Sequence, residues 1–357
     1  MSKVHNFSAG PCILPQDVFQ EASKAILNFD ELNLSLIEIS HRSKNFVAVM
    51  EEAQSLVKEV LGVPEGYSVL FLQGGASLGF LIAAYNMMKE GGKAAYLDTG
   101  AWAAKAVKEA AFLGEVDVIG SSKDRNYCYI PKGYTIPSDA DYFHYTSNNT
   151  IFGTQVKSVP QSDVPLVCDM SSDIFSRKIN VADYDLIYAG AQKNLGPAGA
   201  TLYIVKNEVF GRNGRSIPTY LNLETHAKKD SMFNTPPVFP VYVSMLTLRW
   251  LKANGGLDWI EARNNRKADL IYGEIDRNPL FKGTAELEDR SPMNATFVLN
   301  DESLTDSFNT LWNGAGISGI KGHRSVGGYR ASMYNAMDEA SVQTLVDCMK
   351  ELERTAG

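Results

Sequence analysis

Apolar positions recur at three- and four-residue spacing over 16–29 and 46–61, which predicts two amphipathic helices. A continuous apolar run at 68–72 then predicts a short buried strand, and 78–89 returns to the helical period. The alternation continues with strands at 94–97, 116–119, 141–145, 166–168, 185–189 and 201–205, and a helix at 102–112. Short apolar strands interleaved with helices predict a mostly parallel sheet covered on both faces. Past residue 218 the texture changes. The Pro-rich bend FNTPPVFP at 233–240 leads into helical stretches at 241–253 and 257–277. A strand at 295–299, a helix at 305–315, a strand near 329–332 and a helix at 338–354 complete the chain. That series predicts a small α/β unit of about 100 residues, with the first helix, 16–29, packed near it.

Composition narrows the function classes. The chain has 357 residues, 45 % of them hydrophobic, with 34 Lys and Arg against 41 Asp and Glu for a net charge of −7. A mildly acidic chain without a run of like charge repels nucleic-acid phosphates, so any anion it binds should be small and met by a few placed cations. The apolar stretches fall far short of the ~20 residues that span a bilayer. No secretory signal is visible in the first fifteen residues, so a cytoplasmic location is expected. The four cysteines, Cys12, Cys128, Cys168 and Cys348, form no CxxC pair, which argues against a disulfide framework or a structural zinc site, and no metal is expected.

In open parallel sheets ligands sit beyond the carboxyl ends of the strands, so the residues that follow each strand are the candidates. Gln73-Gly74-Gly75-Ala76-Ser77 follows the strand at 68–72 and opens a helix, an arrangement that brings backbone amides close to an anion. It is neither a P-loop nor a GxGxxG fingerprint. Asp169 follows the strand at 166–168, and Lys193 lies in the segment GAQKNLGP after 185–189. A lysine to form a Schiff base and an acid to keep a pyridine nitrogen protonated are what pyridoxal phosphate requires. Trp102, following Asp98-Thr99-Gly100, could stack on the same ring. Each feature alone is commoner as plain structure; a phosphate-type turn, an aromatic plate, an acid and a lysine in this order favour the cofactor.

The residues also carry a resemblance. HNFSAGP at 5–11, ISHRSK at 39–44, QGGAS at 73–77, DTGAW at 98–102, CDMSSDI at 168–174, YAGAQKNLGPAG at 188–199, FNTPP at 233–237 and KGHRSVGGYRASMYNAM at 321–337 closely resemble the phosphoserine aminotransferase family. That family belongs to the fold-type I, class V group of pyridoxal-phosphate enzymes. The likeness implies an α/β fold: a large domain, 16–255, with a mostly parallel seven-stranded sheet between helices, and a smaller C-terminal α/β domain, 256–357. The N-terminal segment 1–15 would lie near the active site.

By this resemblance Lys193 is the Schiff-base lysine and proton shuttle, Asp169 the pyridinium partner and Trp102 the stacking ring. Thr150 would bond the cofactor's phenolic oxygen. Ala76, Ser77 and Gln192 would hold its phosphate, joined by Asn234 and Thr235 from the neighbouring subunit of a homodimer. Arg330 would clamp the substrate α-carboxylate, for which a planar guanidinium fork suits better than a lysine. His41 and Arg42, with His323 and Arg324, would take the phosphate of O-phospho-L-serine in one half-reaction and the side-chain carboxylate of L-glutamate in the other, one pair from each subunit. The implied reaction is ping-pong transamination between L-glutamate and 3-phosphooxypyruvate, giving O-phospho-L-serine and 2-oxoglutarate in serine synthesis. The same cations would serve 4-phosphooxy-L-threonine of pyridoxine synthesis. Some relatives carry Arg where this chain has Ser77, so this position offers a hydroxyl in place of a positive charge.

Overall fold

The computed structural model describes residues 3–324 and 326–356. Seven strands form the larger sheet: β1 (Tyr67–Leu72), β2 (Lys93–Asp98), β3 (Glu115–Ser121), β4 (Tyr142–Thr146), β5 (Leu166–Asp169), β6 (Leu186–Gly190) and β7 (Thr201–Lys206). Their order across the sheet is β1-β7-β6-β5-β4-β2-β3. Only β7 runs against its neighbours, pairing antiparallel with both β1 and β6. The central strands β4, β5 and β6 are buried along their whole length, as strands covered on both faces must be.

The helices follow the apolar period closely. Helices α1 (Gln16–Leu27), α2 (Lys44–Leu61), α3 (Gly75–Met87) and α4 (Ala101–Ala110) precede two longer ones, α5 (Val238–Ala253) and α6 (Gly256–Arg277). Helix α2 is capped at its start by the Ser43 hydroxyl, which accepts from the Phe46 amide, and ends on Gly62 in the left-handed conformation. Helix α1 corrects one expectation. It lies on α5, and its buried Val18, Ala22 and Ala25 belong to the same apolar cluster as Phe46, Val49 and Met50 of α2. Its one narrow apolar stripe is satisfied there rather than beside the smaller unit.

A second apolar cluster surrounds a three-stranded antiparallel sheet made of β8 (Phe281–Gly283), β9 (Asn294–Leu299) and β10 (Tyr329–Ser332), in the order β8-β9-β10. Helices α7 (Thr305–Gly314) and α8 (Glu339–Ala356) cover it, and α6 contributes Ile271 and Ile275. Phe7, fully buried, joins this cluster from the N-terminal segment, where His5–Asn6 pairs parallel with Ile317–Ser318. No helix among the described residues is long and apolar enough to cross a membrane.

Candidate active site

A cavity of about 320 Å³ opens past the carboxyl ends of β4, β5 and β6. This is where a parallel sheet leaves strand ends and helix starts free to meet a ligand. One wall is the start of α3. Gly74 takes φ 105°, and a Cβ there would stand 2.4 Å from a Leu78 methyl carbon, so the chain turns into the helix only with glycine at this point. Gly75, Ala76 and Ser77, which follow, all line the cavity.

Asp169 ends β5 and is 3 % exposed. Its Oδ1 accepts from the Ser171 amide at 2.9 Å and the Ser171 hydroxyl at 2.6 Å. The Ser171 Oγ accepts in turn from the Gly190 amide at 3.0 Å, which ties the acid to the end of β6. Burial pushes the Asp169 carboxyl above its ordinary range, while the two Ser171 bonds and the nearby Lys193 pull the other way.

Lys193 stands three residues past β6 in a tight turn, where its amide donates to Ala191 O at 2.7 Å and the Gly196 amide donates to the same oxygen at 2.8 Å. Asn194 anchors the turn: its Nδ2 donates to Ile174 O and its Oδ1 accepts from the Asn335 amide, both at 3.0 Å. The Lys193 Nζ is buried and donates to Thr150 Oγ1 at 2.8 Å. Burial lowers its amine from 10.5 to about 8, opposed by Asp169. A buried amine with so low a pKa is neutral often enough to attack a carbonyl near pH 8.

Trp102, on the first turn of α4, forms another wall, with the Lys105 ammonium 4.2 Å from its ring centre. Arg330 reaches in from β10, in register with Thr296 of β9. Its Nε is buried without a partner among the described residues, and burial lowers its pKa. A guanidinium held with an unused donor beside a cavity is placed to receive an anion.

Nine of the fourteen candidate residues line this one cavity: Ala76, Ser77, Trp102, Thr150, Asp169, Gln192, Lys193, His323 and Arg330. His41, Arg42, Asn234, Thr235 and Arg324 are not among the described residues that line it. Arg42, Asn234, Thr235 and Arg324 are exposed, and His41 is half-buried. The bend that holds Asn234 and Thr235 is fastened to its own chain, with Gln73 Nε2 donating to Thr235 O at 2.9 Å. The sequence reading missed Thr146, Asn148, Ser171 and Ser172, which also line the site. The Asp-x-Ser spacing of residues 169–171 was a usable sign for Ser171, since a hydroxyl two residues past an acid bonds back to it locally.

The model of the class-V aminotransferase family matches residues 4–345. The phosphoserine aminotransferase of Flavobacterium johnsoniae is 65 % identical over 98 % of this chain and 99 % of its own. That of Parabacteroides distasonis is 57 % identical over 99 % of both. The solved phosphoserine aminotransferase from Bacillus circulans subsp. alkalophilus superposes with a TM-score of 0.96 at 42 % identity, covering 99 % of both chains. The chain therefore belongs to the class-V aminotransferases and, within them, to the phosphoserine aminotransferases.

Proposed function

We propose that this chain transfers the amino group of L-glutamate to 3-phosphooxypyruvate, releasing 2-oxoglutarate and O-phospho-L-serine, and that the cavity of Lys193 is where it does so. The observation that carries the assignment of the site is the convergence of Lys193, Asp169, Trp102 and Arg330, from four separate parts of the fold, on one cavity. The residues present fit pyridoxal phosphate: a buried amine of lowered pKa, a buried carboxyl, an indole face and a helix start rich in free amides. When bound, the cofactor supplies an electron sink for the carbanion that forms at the substrate Cα.

In this reading Lys193 would hold the cofactor through its amine and, as a free amine, would move the proton at the substrate Cα. Asp169 keeps the ring nitrogen protonated. Both Ser171 bonds fall on its Oδ1, which leaves Oδ2 for the ring. Trp102 would stack on the cofactor ring, and Thr150 would bond its phenolic oxygen. Ala76 and Ser77, at the start of α3, and Gln192, past β6, would hold its phosphate. Arg330 would clamp the substrate α-carboxylate.

The remaining candidates fit a homodimer. His323 belongs to the wall of its own chain's cavity, so we assign His323 and Arg324 to that chain and His41 and Arg42 to the second copy. Asn234 and Thr235 would likewise reach the second copy's cofactor phosphate. The exposed Phe19, Leu27, Leu32, Leu34 and Ile37, on α1 and the segment after it, supply apolar surface for such an interface. A cytoplasmic enzyme is the matching location, in keeping with four unpaired thiols. The test of the site is reductive trapping: borohydride treatment of the holoenzyme should fix the cofactor on Lys193, and label on another lysine would overturn the assignment.

A further inference from the structure

We propose that Gln73 is a positioning residue for the second copy's cofactor site: its side-chain amide fixes, against the end of β1, the bend that carries Asn234 and Thr235. The inference rests on the reading that this bend serves the cofactor phosphate of the neighbouring subunit.

Gln73 is the first residue past β1, half-buried, and it immediately precedes the turn into α3 that walls its own chain's cavity. Its Nε2 donates to Thr235 O at 2.9 Å, and its Oε1 accepts from the Tyr220 hydroxyl at 2.7 Å. A carbonyl can only accept, so the amide has one orientation; turned over, it would set oxygen against oxygen at Thr235. The bond engages only the Thr235 carbonyl. The Thr235 amide and hydroxyl and the Asn234 side-chain amide are thereby left as donors for an anion.

The residues leading into the bend are held by other means. β1 is an edge strand, and its Phe71 amide donates to Ser231 Oγ at 3.0 Å, while the Ser231 amide donates to His226 O at 3.0 Å. His226 is fully buried on the short helix Leu223–Ala227, and its Nε2 donates to Tyr220 O at 2.6 Å. The His226 ring packs edge-on against Tyr220 at 5.0 Å and against Phe233 at 5.9 Å. Ser231 and Phe233 are thus anchored without Gln73. Asn234 and Thr235 are exposed, and among the described residues Gln73 makes the one hydrogen bond to either of them. Loss of the Gln73 amide should therefore free the tip of the bend and leave the fold in place. Gln73 is the joint between the phosphate turn of one site and the bend that completes the other.

Gln73→Met keeps the length of the side chain and removes both polar contacts. Chains carrying two different affinity tags, expressed together and purified on both, give mixed dimers of known composition. Titration of the cofactor-free dimers with pyridoxal phosphate, read at the band of the lysine-bound cofactor, reports only sites that keep Lys193. The Gln73→Met homodimer should bind about tenfold more weakly than the parent. A Gln73→Met chain paired with a Lys193→Ala chain keeps one lysine site, and the bend at that site comes from the chain with Gln73 intact. It should bind within about twofold of the parent. A parent chain paired with a chain carrying both Gln73→Met and Lys193→Ala should show the full loss, because its one lysine site receives the altered bend. Weak binding in the first pairing, or parental binding in the second, would mean that Gln73 acts on its own chain's turn or not at all, and would overturn the proposal. The underlying reading has its own control. Asn234→Ala, weak as a homodimer, should bind at parental strength when paired with Lys193→Ala; weak binding there would overturn that reading and the proposal with it.

Discussion

At the scale of the residue, Lys193 has its pKa set by where it is buried. Its amine titrates near 8 in the fold against 10.5 when solvated, because charge is costly there and Asp169 offsets only part of the cost. Between those two values the unfolded chain holds a proton that the folded chain has lost, so the stability of the cofactor-free protein rises with pH across that window. Below pH 8 the buried charge costs about 3 kcal/mol. Lys193→Met should therefore stabilise the cofactor-free chain by about that much at pH 7, with the advantage shrinking to nothing above pH 10.5. Urea denaturation at a series of pH values measures this, and an advantage that does not change with pH would contradict it. The same substitution should abolish turnover. Asp169→Asn keeps shape but not the acid, and should leave the protein folded with kcat lower by about 10²–10³-fold; steady-state kinetics on both substrates would settle it.

Among the elements, the start of α3 makes the sharpest demand on one residue. Gly74→Ala would put a methyl in a positive-φ position and against Leu78, at about 1–3 kcal/mol, and should lower both Tm and cofactor affinity. An unchanged Tm would mean that the turn relaxes freely. The apolar period made most helices and strands legible to within a few residues, since a stripe at helical spacing and a short apolar run bury themselves in different ways. What it did not carry was direction. β7 is apolar along its buried length like its parallel neighbours, and nothing in such a run tells which way a strand points. Lys193 and Asp169 were legible because each lies at or just past the carboxyl end of a strand. Ser171 had a local sign in its spacing from Asp169, but Asn148 had none, because a buried asparagine acts through partners that only the fold brings near it, such as Asn294.

On the scale of the whole molecule, the proposed site is completed by a second copy of the chain. His41 and Arg42 precede α2, outside the cavity of their own chain, and a site completed across subunits can be rescued by mixing. Lys193→Ala and Arg42→Ala proteins, each impaired alone, should regain about a quarter of parental activity when unfolded and refolded together, since half the dimers are mixed and each has one intact site. No recovery would place Arg42 in its own chain's site. The most direct test of the central claim is the visible spectrum of the purified holoenzyme titrated with O-phospho-L-serine and, in parallel, with L-serine. The band of the lysine-bound cofactor should convert to that of its aminated form with O-phospho-L-serine, at concentrations where L-serine leaves it unchanged. A band that O-phospho-L-serine does not alter, or that both compounds convert equally, would contradict it.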